Sequence, residues 1–421
     1  MIPAEATSGL FGKYALLFGA DIASRGLRFF TDIVLVRHFG PAVFGHINVA
    51  QSLAVQGMSI ANGGLDTAGM RDVAAMPDAT QSIAATVVVL RLAMGLVAWS
   101  ALAGLTWTIP QYRESFELAA LFGLSMFTGA LTLGWVAQGR GWVNSVALSM
   151  LAVNLMYFAG IQAAAFFHWP PWSVPIILTA GELLTASGLW IWIVRKAGAI
   201  TRPLPMAEML AFLWGSLPIG GANILRGFVL ASDVLLLGLF AGKGEVGFYS
   251  GAFKLYSLGL SLIALYFTIL LPHLASHAAD AKVSIRTRLY WALRRALLAA
   301  VPITLAGVLL ARFVLLLLFG AGFEEAVPVL QILIVALVPH LAAGHFRTAL
   351  VALGLQRLDL RLVGVAAVVH AAAKMLLIPL LGMTGAAWGT LTGEVALLVV
   401  VWQAARGAFS AEGAIDDLSR P

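Results

Sequence analysis

Four ionisable side chains, Asp21, Arg25, Arg28 and Asp32, interrupt an otherwise apolar run near the start of the chain. At about 100° per residue they fall within about 60° of one another, so all four share one narrow stripe of a helix. The chemistry open to such a stripe is electrostatic. Arginine's planar fork binds carboxylate or phosphate oxygens in a bidentate fashion, and lysine adds a point charge. Asp21–Arg25 and Arg28–Asp32 are each four apart, so the stripe can equally neutralise itself on the helix surface. A second set is less easily self-satisfied: Arg226 and Asp233 lie seven apart, about two turns or ~10 Å along an axis. Lys254 has no acidic residue in its own apolar segment. Arg91, Arg347, Lys374, Arg312, Asp66, Glu182 and Glu394 are further charges set in apolar surroundings. Asp21, Asp32, Asp66 and Asp233 are candidates either to hold H⁺ or Na⁺ or to orient the arginines.

Other chemistry finds little support. Cysteine is absent, which excludes disulfides, thiolate metal sites and cysteine nucleophiles. His273 and His277 are four apart, but no third ligand or H-E-x-x-H frame accompanies them, so no metal is called for. "GKGEVG" (242–247) fits G-x-G-x-x-G yet follows no Rossmann strand, so no nucleotide cofactor is expected. Glu324 and Glu325 are adjacent and cannot face one catalytic site from one helix. No cofactor and no enzyme activity are expected.

The elements that must carry these charges are membrane spans. Of 421 residues, 60% are hydrophobic and only 11% charged, with a mean hydropathy of +0.92. Soluble domains carry about 25% charged residues. An isolated charge at the bilayer centre costs roughly 3 kcal/mol, so the charged stripe must face protein or a water-filled cavity. Segments of about 20 apolar residues occur twelve times, near 12–36, 43–69, 82–107, 115–138, 145–167, 174–194, 209–240, 247–273, 291–319, 325–353, 361–381 and 384–405. The first is too long and too charged for a cleavable signal peptide. With the N-terminus inside, inner segments hold 15 of the 26 Lys and Arg and outer loops hold Arg37, Arg113 and Lys243. That bias predicts an even number of spans and two cytoplasmic termini. The net charge of +6 belongs to those inner loops rather than to nucleic acid. Trp107, Trp169, Trp172, Trp190, Trp192, Trp291 and Trp402 fall near span ends and read as interfacial anchors. Pro218 with Gly220 and Gly221 interrupts the seventh span and is a candidate hinge.

The opening stretch recurs. "RGLRFFTDIVLV" (25–36) lines up with "RGFVLASDVLLL" (226–237) at an offset of 201, matching Arg25 to Arg226 and Asp32 to Asp233. Six spans precede the second copy, so both copies have one orientation and form a parallel repeat. The expected division is an N-terminal six-helix bundle over 1–200, a second over 201–405, and a polar cytoplasmic tail over 406–421.

"LVRHFGPAVFGHINVAQSLA" (35–54) and "NGGLDTAGMRDVA" (62–74) resemble the polysaccharide transporter family of lipid-linked oligosaccharide flippases. That family lies in the multidrug/oligosaccharidyl-lipid/polysaccharide exporter superfamily. The typical Leu-Gly-Pro turn appears here as Phe39-Gly40-Pro41, Phe44-Gly45 is kept, and Gly64-Leu65, Ala68, Arg71 and Ala74 follow. The resemblance implies an all-α polytopic membrane protein with about twelve transmembrane helices, in two parallel six-helix bundles around a central cavity lined by spans 1, 2, 7 and 8. It implies alternating-access translocation of a polyprenyl-diphosphate-linked oligosaccharide across the bacterial inner membrane. Its partners would be that lipid-linked glycan, membrane lipids, and polysaccharide polymerase or ligase machinery, with no nucleic acid. Eight intramembrane cations stand against six anions, a surplus suited to a diphosphate headgroup. Arg25, Arg28, Arg226, Lys254, Arg91, Arg347 and Lys374 are the candidate substrate ligands. A cation-coupled drug exporter of the same superfamily would favour an acidic cavity instead. A membrane glycosyltransferase or polymerase would need a sizeable loop domain, and the outer loops are too short for one.

Overall fold

A computed structural model describes residues 4–200, 202–276 and 285–418. His277 and residues 280–284 of the inner segment 280–290 lie outside the described residues, as do the side chains of Arg226 and His273. The described chain is built of helices throughout. In order these are α1 (Ala4–Asn62), α2 (Leu65–Ala75), α3 (Thr80–Thr108), α4 (Pro110–Arg113), α5 (Phe116–Gly123), α6 (Ser125–Leu131) and α7 (Gly134–Gly139). They continue as α8 (Val143–Phe166), α9 (Ser173–Ala197), α10 (Met206–Phe240), α11 (Lys243–Ser276), α12 (Ile285–Phe319), α13 (Val327–Ala352) and α14 (Gln356–Leu418).

Two of these are pairs of spans joined at a glycine. Gly40 adopts φ 73°, ψ 173° just before Pro41 and divides α1. Gly382, at φ 58°, ψ −133°, divides α14. A side chain at either position would be strained. With those two breaks counted, the described helices supply twelve segments of spanning length. Two boundaries differ from expectation. Span 2 stops at Asn62 because Gly63 and Gly64 both take positive φ, and α2 restarts in a new direction. Span 4 is not one helix but α5, α6 and α7 end to end. α14 continues as helix through Leu418, into the segment expected to be a polar tail; the Ala-rich end of the chain is a good helix former.

Within each unit, contacts join segments that the charge bias assigns to the same side. Among those expected outside, His46 Nδ1 lies 2.9 Å from Ser115 Oγ, and the rings of His38 and His168 are 5.6 Å apart. Met383 N–H donates to Glu245 Oε2 at 2.8 Å, joining 381–385 to 241–247. Among those expected inside, Gln81 donates to the Ala197 carbonyl at 2.5 Å, Leu204 N–H to Thr86 Oγ1 at 2.9 Å, and Lys196 lies over the rings of Trp142 and Trp192.

The helices form two compact units, Met1–Ala231 and Ser232–Pro421. The first has a core of Leu65, Val87, Leu133, Val136 and Ile193 with their neighbours, and the second one of Leu289, Phe346, Leu350 and Val401. Outward-facing apolar residues are abundant, with Leu309 83%, Leu298 66% and Phe313 63% exposed along α12. Such a surface is stable against lipid and not against water.

Candidate functional site: a charged cavity in the N-terminal unit

Inside unit 1, α1, α2, α3, α6, α7, α8 and α9 enclose a cavity of about 550 Å³. Arg28, Asp66, Arg91, Gln138, Ser149, Asn154 and Glu182 contribute polar groups to its wall, and Met58, Met70, Trp135, Val146 and Leu189 apolar ones. Arg28 enters from α1, where its Nε donates to Asn154 Oδ1 on α8 at 2.9 Å. A neutral amide thus orients the guanidinium, and Glu182 shares the same wall.

The other ionised groups in the wall have firmer partners. Arg91, only 6% exposed, donates from Nη1 to Asp66 Oδ1 at 2.8 Å. Asn62 donates to the other oxygen of Asp66 at 2.8 Å. Glu182 Oε2 accepts from Thr128 at 2.6 Å. The close packing behind the wall needs glycines. A methyl group on Gly69 would stand 2.6 Å from the Trp135 ring, and one on Gly129 would stand 3.3 Å from Arg91 Nη2. Arg91 Nε and Trp135 Nε1 are buried without a hydrogen-bond partner.

Asn154, Glu182, Trp135 and Gln138 were not on the list of candidate site residues. Asn154 and Glu182 carried a usable signal, as strongly polar residues in the middle of apolar spans. Trp135 and Gln138 carried none, because nothing in the spacing of α7 tells which of its faces is inward.

The remaining candidates are dispersed. Arg25 pairs with Asp21 at 2.8 Å on an exposed face, and Arg312 with Glu324 at 2.7 Å, also exposed. Arg347 makes two bonds to Asp359, at 2.8 and 3.0 Å. Lys254 is half-buried on α11. In unit 2, Lys374 is sealed at 2% side-chain exposure in an ion pair with Asp233, whose second oxygen accepts from the Tyr249 hydroxyl. Nearby, Glu394 holds His340 at 2.9 Å and the Tyr256 hydroxyl at 3.5 Å. Gly389 and Gly393 make room for Lys374 and His370, since a methyl group on either would stand within 2.6 Å of those side chains. At the expected hinge, α10 stays helical through Pro218. There Ser216 Oγ donates to the Gly63 carbonyl at 3.1 Å, and a methyl group on Gly220 would stand 2.3 Å from Gly63 C. Gly220 is thus a point of backbone contact, while Gly221 faces open space.

Charged residues held inside a polytopic, lipid-facing helical protein are the mark of a transport pathway. Comparison with known families gives that a name: residues 11–277 match the family described as polysaccharide biosynthesis protein. The chain belongs to that polysaccharide biosynthesis family. Residues 223–416 match the family of the lipid II flippase MurJ, so the two matches together span nearly the whole chain. A comparison with curated proteins found no match. Among solved structures, a multidrug resistance MATE family transporter of the MOP superfamily, inward-facing, superposes with a TM-score of 0.73 at 16% identity, covering 92% of this chain and 95% of its own. The lipid II flippase MurJ, inward closed, gives 0.72 at 14% identity over 93% of this chain and 87% of its own. A MOP superfamily transporter from Pyrococcus furiosus gives 0.51 at 16% identity over 95% and 93%. The polysaccharide biosynthesis family member thus shares the fold of MOP transporters.

Proposed function

We propose that the protein is a flippase, translocating a polyprenyl-diphosphate-linked oligosaccharide across the bacterial inner membrane by alternating access. The observation that carries this is the pair of family matches, a polysaccharide biosynthesis family over 11–277 and a lipid II flippase family over 223–416. The geometry fits it: unit 1 holds a cavity whose wall carries Arg28, bonded to Asn154, together with Arg91, Asp66 and Glu182. In this role the protein makes and breaks no covalent bond. It stands between the enzymes that build the glycan on its carrier and the polymerase or ligase machinery that uses it. Two six-span halves, 1–200 and 201–405, related by the 201-residue offset, supply the alternating elements, with both termini in the cytoplasm. Arg28, Arg226 and Lys254 are assigned to the lipid-linked substrate, and Pro218 with Gly221 to bending of α10.

The test is a headgroup-accessibility assay in liposomes with defined polyprenyl-diphosphate sugars. Protein-dependent movement of the labelled headgroup between leaflets is expected. The rival is a cation exporter, favoured by the shared fold of the MATE transporter and by the carboxylates Asp66 and Glu182 in the cavity wall. Efflux of a lipophilic cation, without movement of the glycolipid, would establish the rival instead.

A further inference from the structure

The cavity of unit 1 is poorly matched to the most charged part of the glycolipid. Its ionised wall groups are Arg28 and Arg91 against Asp66 and Glu182, two of each sign. A diphosphate carrying about two negative charges gains little in such a site. An organic monocation gains equally little.

What the wall does offer is an alternation of donors and acceptors. Arg91 and Trp135 are 6% and 4% exposed, both line the cavity, and each keeps a buried N–H with no acceptor, Nε in one and Nε1 in the other. Buried donors left in that state are rare, and each calls for an oxygen from outside the protein. The carboxylates of Asp66 and Glu182, although already bonded to Arg91, Asn62 and Thr128, keep lone pairs that can accept a further hydroxyl. A phosphate oxygen can satisfy only the donors, a protonated amine only the acceptors, and a quaternary ammonium or phosphonium ion neither set. A sugar hydroxyl donates and accepts at once. The volume, about 550 Å³, lies within the range of about 300–1,000 Å³ typical of small-molecule sites.

We propose that this cavity is a carbohydrate subsite, which takes uncharged sugar residues of the transported glycolipid while its diphosphate is bound elsewhere. The proposal rests on the flippase reading and specifies which part of the substrate unit 1 handles. Recognition then resides in the sugar: Arg91 and Trp135 donate to ring or acetamido oxygens, and Asp66 and Glu182 accept from hydroxyls.

The chain has no cysteine, so one substitution places a unique reporter. Ser149→Cys lies in the cavity wall on α8, and Thr185→Cys on the neighbouring helix α9 is a second reporter. Maleimide labelling of the reconstituted protein is followed with a panel of methyl glycosides (glucoside, galactoside and N-acetylglucosaminide), with inorganic pyrophosphate, and with tetraphenylphosphonium. At least one methyl glycoside is expected to slow labelling of both reporters by about fivefold or more, with the other two probes inert. Adding Trp135→Phe and Glu182→Gln to the Ser149→Cys protein should abolish that protection while the ligand-free labelling rate is kept. Protection by pyrophosphate or by tetraphenylphosphonium alone overturns the proposal. So does labelling that no glycoside slows, or a reporter that never reacts, because a cavity closed to water cannot admit a glycan. The flippase reading is tested separately on the unsubstituted protein. Flipping without glycoside protection leaves the flippase standing and removes the subsite; protection without flipping does the reverse.

Discussion

Arg25 and Arg28 sit three residues apart on one stripe and have different surroundings. Arg25 spends its guanidinium on Asp21 at an exposed i,i+4 pair, the kind of contact that contributes only about 0.3–0.5 kcal/mol. Arg28 crosses to Asn154 inside the cavity. We expect Arg28→Ala to lower transport at least tenfold with normal membrane insertion, Arg28→Lys to be intermediate, and Arg25→Ala to fall within about twofold of the parent, all measured by the liposome flip rate. A loss in Arg25→Ala as large as in Arg28→Ala would show that the stripe acts as a whole. Lys374 is a different case. Its ion pair with Asp233 is buried on both sides, and removing one partner of such a pair costs about 3–5 kcal/mol because a bare charge stays behind. Lys374→Ala should therefore lower the midpoint of unfolding in detergent sharply. Lys374→Met with Asp233→Asn should recover most of it. If the double variant is no better than the single, the loss arises from packing and not from charge.

At the scale of elements, the break at Gly382 joins backbone geometry to a long-range contact. Its φ of 58° and ψ of −133° favour glycine, and a methyl group there would fall 2.0 Å from Glu245 Oε2, the oxygen that caps Met383. Gly382→Ala is expected to cost roughly 1–3 kcal/mol, read as a lower unfolding midpoint. Glu245→Gln, which keeps an acceptor, should cost less than half of that. The two ends of this contact show what a sequence can and cannot disclose. Twelve apolar runs, the breaks at Gly40-Pro41 and near Gly382, and the sorting of loops by Lys and Arg all follow from local composition. Nothing local indicates that Glu245 in a "GKGEVG" loop caps a helix 138 residues later. Likewise, nothing in the spacing of the α1 stripe indicates that Arg28 bonds to Asn154, 126 residues away. Asp66 and Arg91 were visible as isolated charges, and their pairing was not. Periodicity reports which side of a helix is polar; it carries no information about which helix that side meets.

For the molecule as a whole, sidedness is the first thing to measure. Single cysteines near 168–172 and 241–247 should react with an impermeant maleimide from outside intact cells, and those near 140–142 and 357–361 only after permeabilisation. Opposite labelling of 241–247 and 381–385 would break both the twelve-span plan and the Glu245–Met383 contact. The second measurement is the driving force. A diphosphate headgroup carries about two negative charges, each worth ~2.3 kcal/mol per 100 mV, so outward movement is downhill by roughly 4–5 kcal/mol at 100 mV inside negative. An imposed K⁺ diffusion potential, with no Na⁺ or pH gradient, is expected to accelerate flipping. A rate that ignores the potential and follows an ion gradient alone would place the coupling on carboxylates such as Asp66.

The cavity of unit 1 also has an electrical meaning. Its wall runs from Gln138, beside the 140–142 turn, up to Arg28, which lies 12 residues or about 18 Å along the helix before the Gly40 break. With the 140–142 turn on the inner side, as the charge bias predicts, water entering this cavity would carry the inner-side potential toward Arg28. The insulating layer of unit 1 would then be thinner than the bilayer around it, and the field across that layer correspondingly steeper. A charge displaced by only a few ångströms beyond Arg28 would cross a disproportionate share of the membrane voltage, so that modest rearrangements of this lobe would register as capacitive current.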